Sequence, residues 1–249
     1  TYNDKGTNRY CYFDHVVRTK NHDSKKSRTP IQAGAELIGS NSATDDAELI
    51  NLMLDTLKKF TSKKIFLDIG HVGIFKKLMS FAKLEIEQEK QIKKLIRSKS
   101  TSEIKKYLSD LGIDSLLKEC IGSFPRMHGS IKNILKHSDQ LKFFNNDIEN
   151  DINRMIKICD IVSKSHNDVE IKYDFCELNG FDYENNIIFS AYIENDSEAA
   201  STGGRYDCDK EGISGIGFSM DTRYLLKYQS KENKIANKSG KWILEVPNE

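Results

Sequence analysis

The sequence predicts an α+β fold, with strands from both ends of the chain and helices between and around them. Three observations carry that reading. Residues 10–19 and 30–39 are rich in β-branched and aromatic residues, and further short apolar runs at 64–69, 169–175, 187–193 and 214–219 have strand length. Helical spacing governs other stretches: Ile50, Met53, Leu54 and Leu57 follow the acidic start Asp45-Asp46, as a capped amphipathic helix over 44–60 requires. Between 84 and 138 the composition turns to Lys, Glu, Leu and Ile with short helical periods broken at Ser98-Lys-Ser, Gly112 and Pro125, which predicts a small helical insertion.

Taken in order, the first two strands form a long hairpin, because Lys20 to Arg28 is too polar to pack. The helix over 44–60 follows, then the strand at 64–69, which turns at Gly70 into a second helix. After the insertion, Leu141, Phe144, Ile148, Ile152, Met155, Ile156 and Cys159 predict one amphipathic helix over 139–165. The remaining strands lead to a helix over 220–228, and Trp242-Ile-Leu in the polar tail could add an edge strand. The lysines of the insertion read as a solvated face, since Glu and Asp are interspersed among them.

Composition excludes several classes of function. The 249 residues are 38% hydrophobic and 30% charged, and no apolar run approaches the ~18 residues that span a bilayer. A net charge of +1 gives no global attraction to nucleic acid. Cys11, Cys120, Cys159, Cys176 and Cys208 are odd in number and far apart, which argues against a disulfide framework and a zinc site and favours a reducing cytoplasm. The histidines lack metal-ligand spacing, so no metal is expected. The first residues have neither the basic nor the apolar part of a signal peptide, and the chain does not start with Met, so an upstream segment is expected to be missing.

The second strand holds the most selective pattern. Gln32, Gly34 and Glu36 are spaced by two, so an extended chain points all three to one face. An amide, a gap and a carboxylate suit a small polar ligand with hydrogen-bond donors and a positive charge, such as histidine, with the glycine leaving room for it. A merely solvated strand face fits the same spacing.

Three other segments share that ambiguity. Glu177-Leu-Asn-Gly-Phe-Asp-Tyr183-Glu184 could admit a ligand beside its glycine or simply turn the chain. Gly203-Gly204-Arg205-Tyr206-Asp207 could position a polar ligand or cap a hairpin with an Arg–Asp pair. Gly215-Ile-Gly-Phe-Ser-Met-Asp-Thr-Arg223 runs from a strand into a helix that presents Arg223, without the glycine register of a dinucleotide site.

The order of these segments resembles the catalytic domain of class II aminoacyl-tRNA synthetases, specifically histidyl-tRNA synthetase. Arg18 falls on that family's second-motif arginine, with Arg28, Gln32 and Glu36 at matching offsets; residues 203–207 match a histidine-specific motif and Arg223 the third-motif arginine. The resemblance implies a class II antiparallel sheet flanked by helices. Two departures bear on activity. Lys20 stands where the synthetases have a glutamate that helps hold ATP, and Asn179 stands where they have an arginine that assists adenylate formation. Losing one such preorganised donor costs other active sites about 10²- to 10³-fold.

A histidyl-tRNA synthetase-like chain with those losses resembles the regulatory subunits of short-form ATP phosphoribosyltransferase. Pro30 to Gly39, Leu67-Asp-Ile-Gly-His-Val-Gly-Ile-Phe75 and Gly217-Phe-Ser-Met-Asp221 look like that family's versions of these segments. The resemblance implies a non-catalytic subunit that binds L-histidine through Arg18, Gln32, Glu36 and Tyr183. Arg28, Gly203, Gly204, Arg205, Tyr206, Asp207 and Arg223 would support the pocket. It further implies a homodimer within a hetero-oligomer containing the catalytic subunit, and no cofactor. The family's first class II motif and its Asp-x-Thr element are not in this chain, and too little follows Arg223 for an anticodon-binding domain, so no specific tRNA binding is expected. A truncated histidine–tRNA ligase and a stand-alone amino-acid-binding module are the rival readings.

Overall fold

The computed structural model describes residues 6–17, 28–178, 184–208 and 212–228, and the side chains of 142, 184 and 185 are not described. The outer part of the predicted hairpin, the segment around Tyr183 and the tail with Trp242 lie outside these residues.

Strands β1 (Asn8–His15) and β2 (Ile31–Ile38) pair antiparallel, with Tyr12 opposite Gly34 and Tyr10 opposite Glu36. Helix α1 (Ala43–Lys58) starts at Ser42, whose side chain accepts from the Asp45 N–H, and Asp45 and Asp46 complement the positive end of the helix. β3 (Ile65–His71) runs directly into α2 (Val72–Ala82), and Lys83 ends that helix in the left-handed region at φ 49°. The next segment holds α3 (Ile86–Arg97), α4 (Thr101–Ser109) and α5 (Ser115–Ser123), then β4 (His128–Ser130) and α6 (Leu135–Lys142). The long α7 (Asp147–Ser165) leads to β5 (Glu170–Asp174), β6 (Glu184–Ile193), β7 (Ala199–Asp207), β8 (Ser214–Asp221) and the short α8 (Thr222–Leu225).

The eight strands form one mixed sheet in the order β1-β2-β8-β7-β6-β3-β5-β4. Every pairing is antiparallel except β3 with β5, which the long connection through α2 to α7 joins in parallel. One face is the core. Leu37, Leu67, Ile69, Phe189, Ile193 and Ile216 are buried on it against α1 and α7, whose Ile50, Met53, Leu57, Ile152, Met155 and Val162 are likewise fully buried. Each such side chain contributes about 1.5–3 kcal/mol over leaving it in water. The other face carries polar residues in register: Gly34, Ser219, Thr202, Ser190 and Asp68 lie side by side across five strands. No helix among the described residues is long and apolar enough to cross a membrane.

Three details differ from the sequence reading. The helix predicted over 139–165 is two helices, because Asn145 accepts from the Asp147 N–H and restarts the chain as α7. The segment expected to be a helical insertion also supplies β4, which adds an outer strand beside β5. Residues 203–207 form the second half of β7, where a turn or cap was a reading left open.

Candidate functional site

β2 builds the site as alternation requires. Gln32, Gly34 and Glu36 lie on the polar face, directly opposite Asp221, Ser219 and Gly217 of β8. β7 then aligns Thr202 with Ser219 and Gly204 with Gly217. Tyr12, Gln32, Glu36, Thr202, Gly204 and Tyr206 thereby enclose much of a cavity of about 220 Å³, with Gly203, Gly217, Phe218 and Ser219 completing its wall.

Two glycines set its shape. A side chain on Gly217 would overlap the Glu36 carboxylate, so this glycine lets Glu36 lie flat across β8 toward β7. There it accepts a 2.6 Å hydrogen bond from the Tyr206 hydroxyl. Gly34 was expected to leave room for a ligand. Instead a Cβ there would lie 2.5 Å from both the Phe218 carbonyl oxygen and the Tyr12 ring, so its gap is filled by the Tyr12 phenol.

Burial raises the pKa of Glu36, and the Tyr206 hydrogen bond partly offsets the rise. Burial likewise raises Tyr12, reinforced by the Glu36 charge and opposed by a hydrogen bond to Ser219. The site therefore offers a half-buried carboxylate with spare acceptor capacity, an amide and two phenols. Such a set can orient a small ligand through its N–H donors and stabilise a positive charge on it.

The structure brings together Gln32, Glu36, Gly203, Gly204 and Tyr206 of the predicted residues. Arg205 does not join them. It is one residue out of step with Tyr206 on β7, so it points to the opposite face, where it is 2% exposed and bound to Asp46. Arg28 is exposed before β2, Asp207 is exposed at the end of β7, and Arg223 is exposed on the first turn of α8; none lines the cavity. Arg18 and Tyr183 lie outside the described residues. Tyr12 and Thr202 line the site without having been singled out. Tyr12 was legible as the residue that strand pairing sets across from Gly34, once the hairpin register is known.

The family model described as histidyl-tRNA synthetase matches residues 1–225. The ATP phosphoribosyltransferase regulatory subunit of Hahella chejuensis is 32% identical over 228 residues, 90% of this chain and 56% of that protein. The corresponding subunit of Teredinibacter turnerae is 33% identical over 236 residues, 93% of this chain and 60% of that protein. The chain thus spans little more than half the length of these relatives. Among solved structures, an ATP phosphoribosyltransferase regulatory subunit/histidyl-tRNA synthetase from Bacillus halodurans superposes with a TM-score of 0.74 at 19% identity, over 89% of this chain and 58% of that one. The ATP phosphoribosyl transferase (HisG:HisZ) complex from Thermotoga maritima gives 0.69 at 20% identity, over 88% of this chain and 74% of that one. Both superpositions bear on the fold.

Proposed function

Because the chain belongs to the histidyl-tRNA synthetase family, we propose that it has kept that family's amino-acid pocket for sensing, as a non-catalytic regulatory subunit of short-form ATP phosphoribosyltransferase. The ligand is L-histidine, and the partner is the catalytic subunit that carries out the first step of histidine biosynthesis. The name that its relatives carry supports this reading. The single observation that carries it is the small cavity in which Glu36 and Gln32 share one strand face and Tyr206 holds the carboxylate.

Glu36 accepts from the ligand's imidazole or ammonium, and Gln32 fixes its orientation. Arg18 meets the ligand carboxylate and Tyr183 adds a wall. Arg28 and Arg223 support the ligand from outside the cavity. Lys20 and Asn179 replace a carboxylate and an arginine that activation would use, so binding outlives turnover. Two copies pair within the hetero-oligomer, which works in the cytoplasm, where the five cysteines stay reduced. Regulation follows when histidine prefers one arrangement of the assembly, with a typical coupling of ~1–3 kcal/mol.

The test uses the full-length protein with a short-form catalytic subunit. Calorimetry should detect histidine binding, and the assembled complex should form phosphoribosyl-ATP and be inhibited by histidine. No binding at millimolar histidine would sink the sensing role. Robust pyrophosphate exchange with histidine and ATP would instead identify a ligase.

A further inference from the structure

Behind the cavity, on the core face of the same strands, lies an ionic cluster whose members do not line it. Asp46 on α1 has no solvent exposure and bonds two arginines. Its Oδ1 accepts from Arg205 Nε and Nη2 at 2.8 and 2.5 Å, and its Oδ2 accepts from Arg154 Nε and Nη2 at 2.9 and 2.6 Å. Arg205 Nη1 donates to the Ser40 carbonyl at 2.6 Å and to the Ser214 hydroxyl at 2.7 Å, while Arg154 Nη1 donates to the Asn41 carbonyl at 3.2 Å. One carboxylate thus joins α1, α7 and β7, and the arginines extend the cluster to the end of β2 and the start of β8.

Stability alone does not account for this arrangement. Burying Asp46 and Arg205, with Arg154 only partly covered, costs desolvation that well-packed apolar residues would avoid, so such an ion cluster is weak evidence for stabilisation. Its geometry does define register. Leucines can slide along a groove, whereas a guanidinium fork bonded through four donors fits its acceptors in one position. Register matters here because Tyr206 follows Arg205 directly, and a slip of one residue would turn the phenol away from the cavity. Tyr206 must also reach Glu36 across the intervening β8, so two successive strand pairings set their alignment, and the arginine cluster adds a tie of β7 to α1 beside them.

We infer that Asp46 is a positioning residue for the cavity: through Arg205 it fixes β7 so that the Tyr206 hydroxyl meets Glu36, and through Arg154 it ties that alignment to α7. The inference deepens the reading of the cavity as a ligand site and rests on it, yet it can be read out on Glu36 without any ligand. Among the described residues the titratable groups facing Glu36 are Tyr206 from β7 and Tyr10 and Tyr12 from β1, while β8 presents Gly217 and Ser219 there. The Tyr206 hydrogen bond holds Glu36 below the value that burial alone would set. Losing it moves the titration of Glu36 upward.

The experiment follows the Glu36 carboxyl by carbon-detected NMR titration in the whole chain. Variants are Asp46→Asn, Arg154→Gln, Tyr206→Phe and the double variant Asp46→Asn/Tyr206→Phe. Each single substitution should raise the Glu36 midpoint, and Asp46→Asn should add nothing once Tyr206 is Phe, since it acts through that hydroxyl. Histidine affinity should fall roughly tenfold in Asp46→Asn, the scale of loss seen when supports behind metal ligands are removed. An unchanged midpoint in both folded single variants overturns the inference, as does a shift that adds to that of Tyr206→Phe. Should Asp46→Asn fail to fold, Arg154→Gln, whose side chain reaches the cluster from α7, decides alone. Absence of histidine binding by the unaltered protein refutes the sensing role, while the titration still decides the positioning role.

Discussion

Asp46 on α1 and Glu36 on β2 are two carboxylates on opposite sides of the same sheet, and their surroundings assign them opposite work. Both oxygens of Asp46 are saturated, each accepting from two arginine N–H groups, and its side chain has no solvent exposure. Among the described residues Glu36 is held by the Tyr206 hydroxyl, and it keeps unused lone pairs facing a cavity of about 220 Å³. Saturation marks a carboxylate that organises the protein. Spare acceptor capacity beside a space marks one that waits for something else.

The sharpest way to break the comparison is to exchange the two effects. Asp46→Ala would leave Arg205 buried without its carboxylate and Arg154 unpaired at the edge of the cluster, and losing one side of a buried pair costs about 3–5 kcal/mol. Chemical denaturation should show a loss of that order. Glu36→Gln should leave unfolding within about 1 kcal/mol of the original, because the amide still fills the site and can accept from Tyr206. The loss should fall on the ligand instead. A hydrogen bond to a charged group contributes about 1.5–3 kcal/mol, so histidine affinity in calorimetry should drop roughly 10- to 150-fold. Equal effects of both substitutions on stability would erase the distinction.

Gly217→Ala sharpens it from the side of shape. Its methyl would overlap the Glu36 carboxylate, which can swing away only by giving up Tyr206. Overpacking of this kind costs about 1–3 kcal/mol. Thermal unfolding should register that cost, and the Glu36 midpoint should rise as it does in Tyr206→Phe. An alanine variant that keeps the original midpoint would show that the close approach of β8 to Glu36 is not what directs the carboxylate.

How much of this was legible beforehand follows from range in sequence. The faces of β2 were readable because alternation is local, and the start of α1 was readable from the acidic pair Asp45 and Asp46, while its capping residue Ser42 was not picked out. The break between α6 and α7 escaped because Leu141, Phe144 and Ile148 keep helical spacing through it, while the Asn145 side chain stops the helix. Arg205 was misplaced for a different reason. Its motif carries glycines, a cation, a phenol and a carboxylate in five residues, and composition alone cannot say which of them turns inward. Only recognising β7 as a strand sends Arg205 and Tyr206 to opposite faces, and its partner Asp46 lies 159 residues away. Gly34 shows the same limit, since a missing side chain signals a close approach without naming what approaches.

The smallest expected effect is on pH dependence, where two buried groups oppose each other. Burial raises Glu36, so between the ordinary carboxylate range and its higher folded value the native state holds more protons than the unfolded chain. Stability from this group is present at the low end of that window and declines as pH rises through it. Burial lowers His71 to about 4, with Asp151 opposing the shift. Between about 4 and its unfolded value near 6.5 the unfolded chain holds more protons, so stability from His71 grows as pH rises. The two contributions therefore oppose each other where the windows overlap, and a difference curve is needed to separate them. Subtracting the profile of Glu36→Gln from that of the original protein should leave a component that falls with pH. Histidine binding should move the other way: its ammonium stays charged across this range, so affinity rises with pH as Glu36 ionises, by at most about tenfold per pH unit for one linked proton. In Glu36→Gln that rise should vanish. A rise that survives the substitution would place the linked proton on another group, the ligand's own imidazole included, and not on Glu36.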